Sequence, residues 1–224
     1  MENLKCKLSQ LNAESECPEI QQLIDDLASN LFNNYHILKG TEDYYFVNIE
    51  FYFCNKKHFD IITYPRDLEE GMWFFHESGI DLTFKSKYMP YNGNPKTVDT
   101  DKEFFSGGIL VREILKKNDM EISFDGPYKC EWELFDKFNA LNPSASEMPK
   151  LVTNTTPLSL TTIRTKRHFS YNSDMFEKKY NELTNTIYHG NCQINKEDFE
   201  KFIKNEELSY KVDKENLKSI LMSL

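Results

Sequence analysis

The sequence lacks long apolar runs and closely spaced cysteine pairs, and each absence argues against a class of protein. No stretch approaches the ~20 apolar residues of a membrane-spanning helix. The polar start, Met1-Glu2-Asn3-Leu4-Lys5, has no signal-peptide core. The 5 cysteines are scattered and form no CxxC pair, which argues against a disulfide framework or a zinc site. We therefore expect a cytosolic protein that uses neither a membrane partner nor a metal or other cofactor.

Positive charge is also scarce, which weighs against nucleic-acid binding. The chain has 27 Lys and Arg against 36 Asp and Glu, a net charge of −9, whereas affinity for a phosphate backbone comes from basic side chains. A local basic face can offset the total charge. The candidates for DNA-backbone contacts lie in two basic clusters, for which solvated surface charge is the alternative interpretation; they are Lys56, Lys57, Arg164, Lys166 and Arg167.

Aromatic residues, by contrast, are abundant. The 224-residue chain contains 17 Phe, 12 Tyr and 2 Trp, or 14% of its residues. Aromatic side chains favour strands and fill cores, and they also form surfaces on which bases stack. A chain of this length buries a sizeable core in one domain.

Hydrophobic periodicity predicts an α+β fold. Apolar residues spaced by three and four predict a helix over residues 18–32, whereas aromatic and β-branched residues predict a long strand over Asp43–Cys54. Glu77-Ser78-Gly79 is expected to be a three-residue hairpin turn. Further strands are expected at 72–76, 80–84 and 109–115, loops at 55–70 and 86–106, and helices at 128–141, 174–189, 196–205 and 213–224.

These elements predict two parts of unequal size. Residues 1–170 are expected to form a single α+β domain, and residues 171–224 a helical C-terminal extension. The helix over 128–141 is expected to carry one aromatic stripe, formed by Tyr128, Trp132, Phe135 and Phe138.

Glu50 is a lone acid inside the long aromatic strand. Strand alternation puts Asn48, Glu50 and Tyr52 on one face. A carboxylate among aromatic rings is partly desolvated, so we expect its pKa to rise toward the range of a general base. The alternative is an edge-strand glutamate that points to water.

Arg112 is a second isolated ion, embedded in the apolar strand Ile109–Leu115. Buried ions are costly unless they are paired, so Glu50 and Arg112 are predicted to meet. A purely structural ion pair is the alternative.

Three segments resemble blocks of the alkyladenine DNA glycosylase family, in the same order and at similar spacing. Val47–Tyr52 resembles the family's Val-Glu-Thr-Glu-Ala-Tyr, Gly71–His76 its Gly-Thr-Leu-Tyr-Val-Tyr, and Gly108–Arg112 its strand ending in Leu-Leu-Arg. Gly79–Phe84 and Gly107–Arg112 also resemble segments of an uncharacterised glycosylase-like group. The resemblance covers roughly residues 40–140 and implies a curved, mostly antiparallel sheet.

The resemblance implies a role for each matching residue. Glu50 would activate water, and Arg112 would hold that water and Glu50. Tyr52 and His76 would sandwich a base extruded from the DNA helix. His58 is nearest to the family's pocket histidine, with Tyr64 as the alternative. Asp81 and Thr83 would read base edges, although structural hydrogen bonding is their other interpretation.

The resemblance therefore implies a monofunctional, metal-free DNA glycosylase that acts on a modified base. A carboxylate stabilises the positive sugar and deprotonates water, as in glycosidases. The alternatives are a base- or nucleotide-binding module that does not cut, and a structural domain whose Glu50 and Arg112 pair in the core. The expected setting is base-excision repair or defence against phage with modified DNA.

Two departures change the expected substrate. The family's hairpin carries a Tyr that wedges into the helix, whereas the tip here is Glu77-Ser78-Gly79. Either the substrate is single-stranded or distorted, or the loop over 86–106 supplies a wedge. His76 in place of a Tyr also predicts a base other than alkylated adenine. The wedge candidates in that loop are Met89, Tyr91, Phe104 and Phe105.

Overall fold

A computed structural model of the chain describes residues 1–142, 147–168, 173–190, 196–197, 199–200 and 206–224. The described helices are α1 (Glu2–Leu8), α2 (Cys17–Asn34), α3 (Pro127–Leu134), α4 (Ser173–Glu182) and α5 (Lys214–Met222), with a 3-10 turn at Tyr91–Gly93 and a π-helical turn at Leu183–Ile187. Across these ranges, no helix is both long and apolar enough to cross a membrane.

The fold is α+β, as predicted, and is built on one mostly antiparallel sheet. The described strands are β1 (Tyr35–Lys39), β2 (Glu42–Asn55), β3 (Trp73–His76), β4 (Gly79–Thr83), β5 (Val98–Asp99), β6 (Phe105–Lys116), β7 (Ser123–Asp125), β8 (Lys150–Thr153), β9 (Ile163–Thr165), β10 (Tyr188–His189) and β11 (Ser209–Lys211). The central strands of the sheet follow the spatial order β3-β4-β6-β2-β1-β8, while β7 pairs with β6, and β11 pairs with both β2 and β9. A separate parallel pair joins β5 and β10.

The long strand β2 lies in the interior of the sheet. It pairs with β6 along most of its length, and on its other edge with β1 near its start and with β11 at its middle, Asn48–Glu50. Ile49, Phe51 and Phe53 are fully buried in one core with Leu27 and Leu31 of α2. Their alternation leaves the opposite face of β2 for Glu50 and Tyr52.

Two glycines allow the strands around β2 to approach closely. A Cβ atom on Gly107 would lie 2.6 Å from the backbone oxygen of Tyr52, and one on Gly108 would lie 2.6 Å from Nη1 of Arg66. Both residues lie inside β6, whereas the sequence pattern placed them before the strand. Any larger residue would therefore push β6 away from β2 or displace Arg66.

Several element boundaries differ from the predictions. The β3–β4 turn has two residues, because His76 pairs directly with Gly79. Helix α3 ends at Leu134 rather than 141, and its buried face is Cys130 and Leu134. The predicted aromatic stripe is largely solvent-facing, with Trp132 75% exposed.

The predicted helical extension is partly β-structure. The helix expected over 174–189 ends as α4 at Glu182, and β10 follows at Tyr188–His189. Residues Ser209–Lys211, which precede the expected helix α5, add strand β11 beside β2. Most of the helix predicted over 196–205 lies outside the described residues. Ser209–Lys211 is therefore part of the main sheet, while Tyr188–His189 belongs to the separate pair with β5.

Candidate functional site

The carboxylate of Glu50 is buried in the middle of the sheet and held by several donors. Glu50 is 1% exposed, and its Cα pairs with Leu110 on one side and Ser209 on the other. The hydroxyl of Tyr52 donates to Oε2 at 2.8 Å, and the backbone N–H of His168 donates to Oε1 at 2.9 Å. The edge-strand alternative for Glu50 is thus excluded.

Arg112 lies beside this carboxylate, as the two isolated ions suggested. Its Nη1 lies 3.6 Å from Oε2 of Glu50, and its side chain is 20% exposed. Ile49 pairs with Val111 and Asn48 with Glu113, so Arg112 is the extra residue of a β-bulge. Bulges often redirect a side chain next to a functional site. Here the bulge brings the guanidinium to Glu50 while one side of it meets solvent.

Tyr52 links Glu50 to a second, deeper ion pair. The guanidinium of Arg167 lies 4.6 Å from the centre of the Tyr52 ring and binds Asp60 with two nitrogens, at 2.5 and 3.0 Å. Burial, and then the adjacent charge of Glu50, hold the pKa of Tyr52 well above its ordinary value. The phenol therefore stays protonated and donates its hydrogen to Glu50.

A cavity of about 200 Å³ opens next to this cluster. It is smaller than the ~300–1,000 Å³ of sites for drug-sized ligands, and suits one small planar ring. Glu50 lies behind the wall, since Tyr52 and Arg112 line the cavity and Glu50 does not. The C-terminal segment contributes Leu183 and Ile187 to the opposite side.

His76 and Asp81 lie on the same cavity wall and bind each other. His76 Nε2 lies 3.0 Å from Oδ1 of Asp81, and Nδ1 accepts from the backbone N–H of Ser78 at 3.2 Å. This network assigns the hydrogen to Nε2. Burial alone would raise the pKa of Asp81, but Arg66 and His76 outweigh it and hold that pKa below its ordinary value. Both nitrogens of His76 are engaged, so it offers the cavity a ring face.

The low pKa of Asp81 predicts a contribution to stability that is sensitive to acid. This contribution is complete above the ordinary carboxyl value of 3.8 and is lost as the pH falls below it through the pKa of the folded state. The difference in unfolding free energy between the wild type and Asp81→Asn should therefore narrow below that pH. The total narrowing is about 1.4 kcal/mol for each pH unit that separates the pKa of Asp81 in the folded state from its ordinary value. Urea unfolding at a series of pH values measures it.

The control for this experiment is Asp119→Asn, which changes an exposed carboxylate in a turn. Its unfolding free energy should stay within about 0.5 kcal/mol of the wild type. A difference between wild type and Asp81→Asn that stays constant through the acid range would contradict the account of Asp81.

Two predicted pocket residues are structural instead. His58 is 4% exposed, is absent from the cavity wall, and contacts the backbone oxygen of Phe53 through Nδ1 at 2.7 Å. Thr83 is fully buried, accepts from the Met72 N–H at 3.0 Å, and donates to the Glu69 oxygen at 2.8 Å. Local backbone groups therefore use both side chains, which for Thr83 is the structural hydrogen bonding expected as its other interpretation.

Tyr64, the alternative to His58, does line the cavity. Its ring centre lies 4.5 Å from that of His76, at an angle of 31°. Its hydroxyl donates to Oε1 of Glu77 at 2.7 Å, at the tip of the β3–β4 hairpin. The aromatic part of the wall is thus formed by Tyr52, Tyr64 and His76.

The five predicted DNA-backbone residues have different surroundings. Lys57 and Arg164 are paired with acids: Glu14 and Glu16 for Lys57, and Asp25 and Glu207 for Arg164. The backbone role of Arg167 is contradicted, because its side chain is fully buried. Two of the predicted residues are simply exposed, namely Lys56 and Lys166.

The four wedge candidates also differ in how much of each side chain is exposed. Phe104 and Phe105 are 1% and 6% exposed and belong to the core, so neither can enter a DNA helix. Met89 is 52% exposed. Tyr91 is partly exposed, but its ring stacks on His189 with the centres 4.6 Å apart.

Three residues that build the site were not predicted from the sequence. Asp60 and Arg66 lie in the segment predicted as a loop, and no periodicity distinguishes them. His168 directly follows the basic residues Lys166 and Arg167, but it contacts Glu50 through its backbone N–H, which no side-chain pattern reveals. Within the described ranges, no group of three or more His, Cys, Asp or Glu side chains has a geometry suited to a metal ion.

Comparison with known proteins assigns neither a family nor an activity. No protein-family model matches the chain, and no solved structure matches it. It is 28% identical over 131 residues to an uncharacterized protein of Acanthamoeba polyphaga mimivirus, a match that covers 53% of the chain and 59% of the viral protein. The chain thus spans less than two thirds of that relative.

Proposed function

We propose that the protein is a DNA glycosylase that hydrolyses the N-glycosidic bond of a modified base extruded into the cavity. The observation that carries the proposal is a buried carboxylate, Glu50, paired with Arg112 behind the wall of a ring-lined cavity of about 200 Å³. We include in this proposal that the α+β fold of the chain is of the alkyladenine glycosylase type.

In this mechanism Glu50 acts as the general base and as the counter-charge of the sugar. An ionised carboxylate has about four acceptor sites. Tyr52 and the N–H of His168 each occupy one of them, so acceptor capacity remains for a water molecule beside Arg112. Positive charge develops on the sugar as the bond to the base breaks, and a nearby carboxylate stabilises it.

The cavity walls supply the binding. A base that leaves the DNA stack loses a few kcal/mol of stacking and pairing, which aromatic surfaces help to offset. The ring faces available here are those of Tyr52, Tyr64 and His76. Because the pocket is small, it accepts a single base, and Glu50 can act only if the glycosidic bond lies against the part of the wall formed by Tyr52 and Arg112.

The test is a base-release assay on oligonucleotides that each carry one modified base, in single- and double-stranded form. We expect the wild type to release at least one base as the free compound and to leave an abasic site, both detected by mass spectrometry. The matched control is Glu70→Gln, which changes a shielded carboxylate paired with Lys5 away from this cavity. Its release rate should equal that of the wild type.

A second candidate is a module that binds a base or nucleotide without cleaving it. The pairing of Lys57 and Arg164 with acids, and the burial of Arg167, favour this function, because three of the five cations predicted to contact phosphates are engaged within the protein. It predicts that a base or nucleotide from the panel binds while no free base is released.

A further inference from the structure

Arg66 is a buried guanidinium in the cavity wall that the proposed mechanism does not use. Its side chain is 1% exposed. Its Nε donates to the backbone oxygen of Tyr64 at 3.1 Å, its Nη1 lies 2.8 Å from Oδ2 of Asp81, and the group lies 4.1 Å above the Phe74 ring. Three contacts from three directions therefore fix the plane and direction of the guanidinium.

The remaining nitrogen of this group is a donor that lacks an acceptor. Nη2 of Arg66 is shielded from water and has no hydrogen-bond partner in the described part of the chain. Nη1 has Asp81 as an ion-pair partner, but that contact lacks hydrogen-bond geometry. Arg66 itself lines the cavity. Buried side-chain donors are nearly always satisfied in folded proteins. An acceptor on a bound ligand would satisfy this one once the side chains that cover Nη2 shift to admit the ligand.

Two polar side chains next to Arg66 already have hydrogen-bond partners within the protein. Both nitrogens of His76 are engaged, by Asp81 and by the Ser78 N–H. The Tyr64 hydroxyl donates to Glu77. The buried unpartnered polar groups of this wall in the described part of the chain are therefore the Arg66 guanidinium and the Thr63 hydroxyl, and of these two only the guanidinium is charged.

We propose that Arg66 is a specificity-determining residue, which donates from Nη2 to an exocyclic oxo group of the bound base. A guanidinium has only donors, so it pairs with a carbonyl oxygen and repels an amino group at the same position. The inference rests on the proposed function in naming the ligand as a base, and it narrows the substrate class to bases with an oxo group facing Arg66.

The experiment uses two free single-ring compounds that carry an oxo or an amino group at the same ring position, pyrimidin-4-one and 4-aminopyrimidine. Calorimetric titration of the full chain should show the oxo compound binding roughly 10- to 100-fold more tightly, as expected for one hydrogen bond to a charged donor. Arg66→Lys keeps a positive charge for Asp81 but removes the second nitrogen, so it should abolish the preference. Lys137→Arg, which changes a cation paired with Glu147 outside the cavity, should keep it.

The binding measurements test the role of Arg66, and the base-release assay tests the proposed catalysis, so the two can fail independently. Equal affinities, no binding of either compound, or a preference that persists in Arg66→Lys would overturn the role of Arg66. If Arg66→Lys does not fold, the comparison of the two compounds on the wild type still decides. An oxo preference without base release from any oligonucleotide would refute the glycosylase and leave Arg66 as the specificity residue of a binding site.

Discussion

Replacing Glu50 with glutamine is expected to slow base release about 100-fold or more, which is the lower range for loss of a general base. Glutamine has nearly the same shape but neither takes a proton from water nor neutralises a positive sugar. The measurement is the single-turnover rate of base release on the best oligonucleotide of the panel. Glu70→Gln is run beside it as the matched change.

The same variant also has a cost in stability, which must be measured separately. The two oxygens of Glu50 accept from Tyr52 and from the N–H of His168. A glutamine offers one oxygen and one amino group, so one of these donors then faces another donor. We expect a loss of about 1–3 kcal/mol in unfolding free energy, and the rate should be measured well below the melting temperature.

The double variant Glu50→Gln/Arg112→Gln separates catalysis from structure. If the pair is only structural, the single variant loses several kcal/mol because it strands Arg112, and the double variant recovers much of it. If Glu50 is the base, the double variant is as inactive as the single one, whatever its stability. Base release by Glu50→Gln at the wild-type rate would eliminate the mechanism.

The core of the candidate site was predictable because its signals are local. An acid or an arginine alone in an apolar strand stands out, and alternation assigns its face, so the proximity of Glu50 and Arg112 follows from the sequence. Their separation of 3.6 Å depends on the bulge at Arg112, which the sequence pattern does not reveal.

The support around that core was not predictable, because it depends on pairs far apart in the chain. Asp60 and Arg167 are separated by 107 positions, and each lies in a segment without periodicity. Strand β11 has only three residues, Ser209–Lys211, too few for alternation to be recognised. The resemblance to a pocket histidine misplaced His58 because the spacing of the loop alone does not determine which ring reaches the cavity.

The aromatic stripe of α3 shows a different limit. Tyr128 and Trp132 are four residues apart and share a face, but that face is 53% and 75% exposed at these positions, while Cys130 and Leu134 are buried. Periodicity identifies which residues share a face of a helix. It does not identify the face that meets the sheet when smaller apolar residues occupy the other one.

The second large effect is expected for Asp60→Asn, which should lower the unfolding free energy by about 3–5 kcal/mol. Both side chains of the Asp60–Arg167 pair are fully buried, and the substitution removes the charge that neutralises the guanidinium. Urea unfolding with a constant m-value is the measurement. An effect below about 1 kcal/mol would mean that solvent reaches Arg167.

This ion pair also positions Tyr52, so stability and activity should separate when the pair is replaced as a whole. Asp60→Leu/Arg167→Met substitutes apolar side chains for both partners and should recover most of the stability lost in Asp60→Asn, because the desolvation cost of both ions disappears. The cation 4.6 Å from the Tyr52 ring is then gone, and with it the Arg167 hydrogen bond to the backbone oxygen of Phe51. Tyr52 loses the support that aims its hydroxyl at Glu50, so base release should stay at least about 10-fold below the wild type, as for a misplaced catalytic group. Full recovery of both stability and rate in the double variant would show that Arg167 only holds the fold, and that Tyr52 is positioned by the sheet alone.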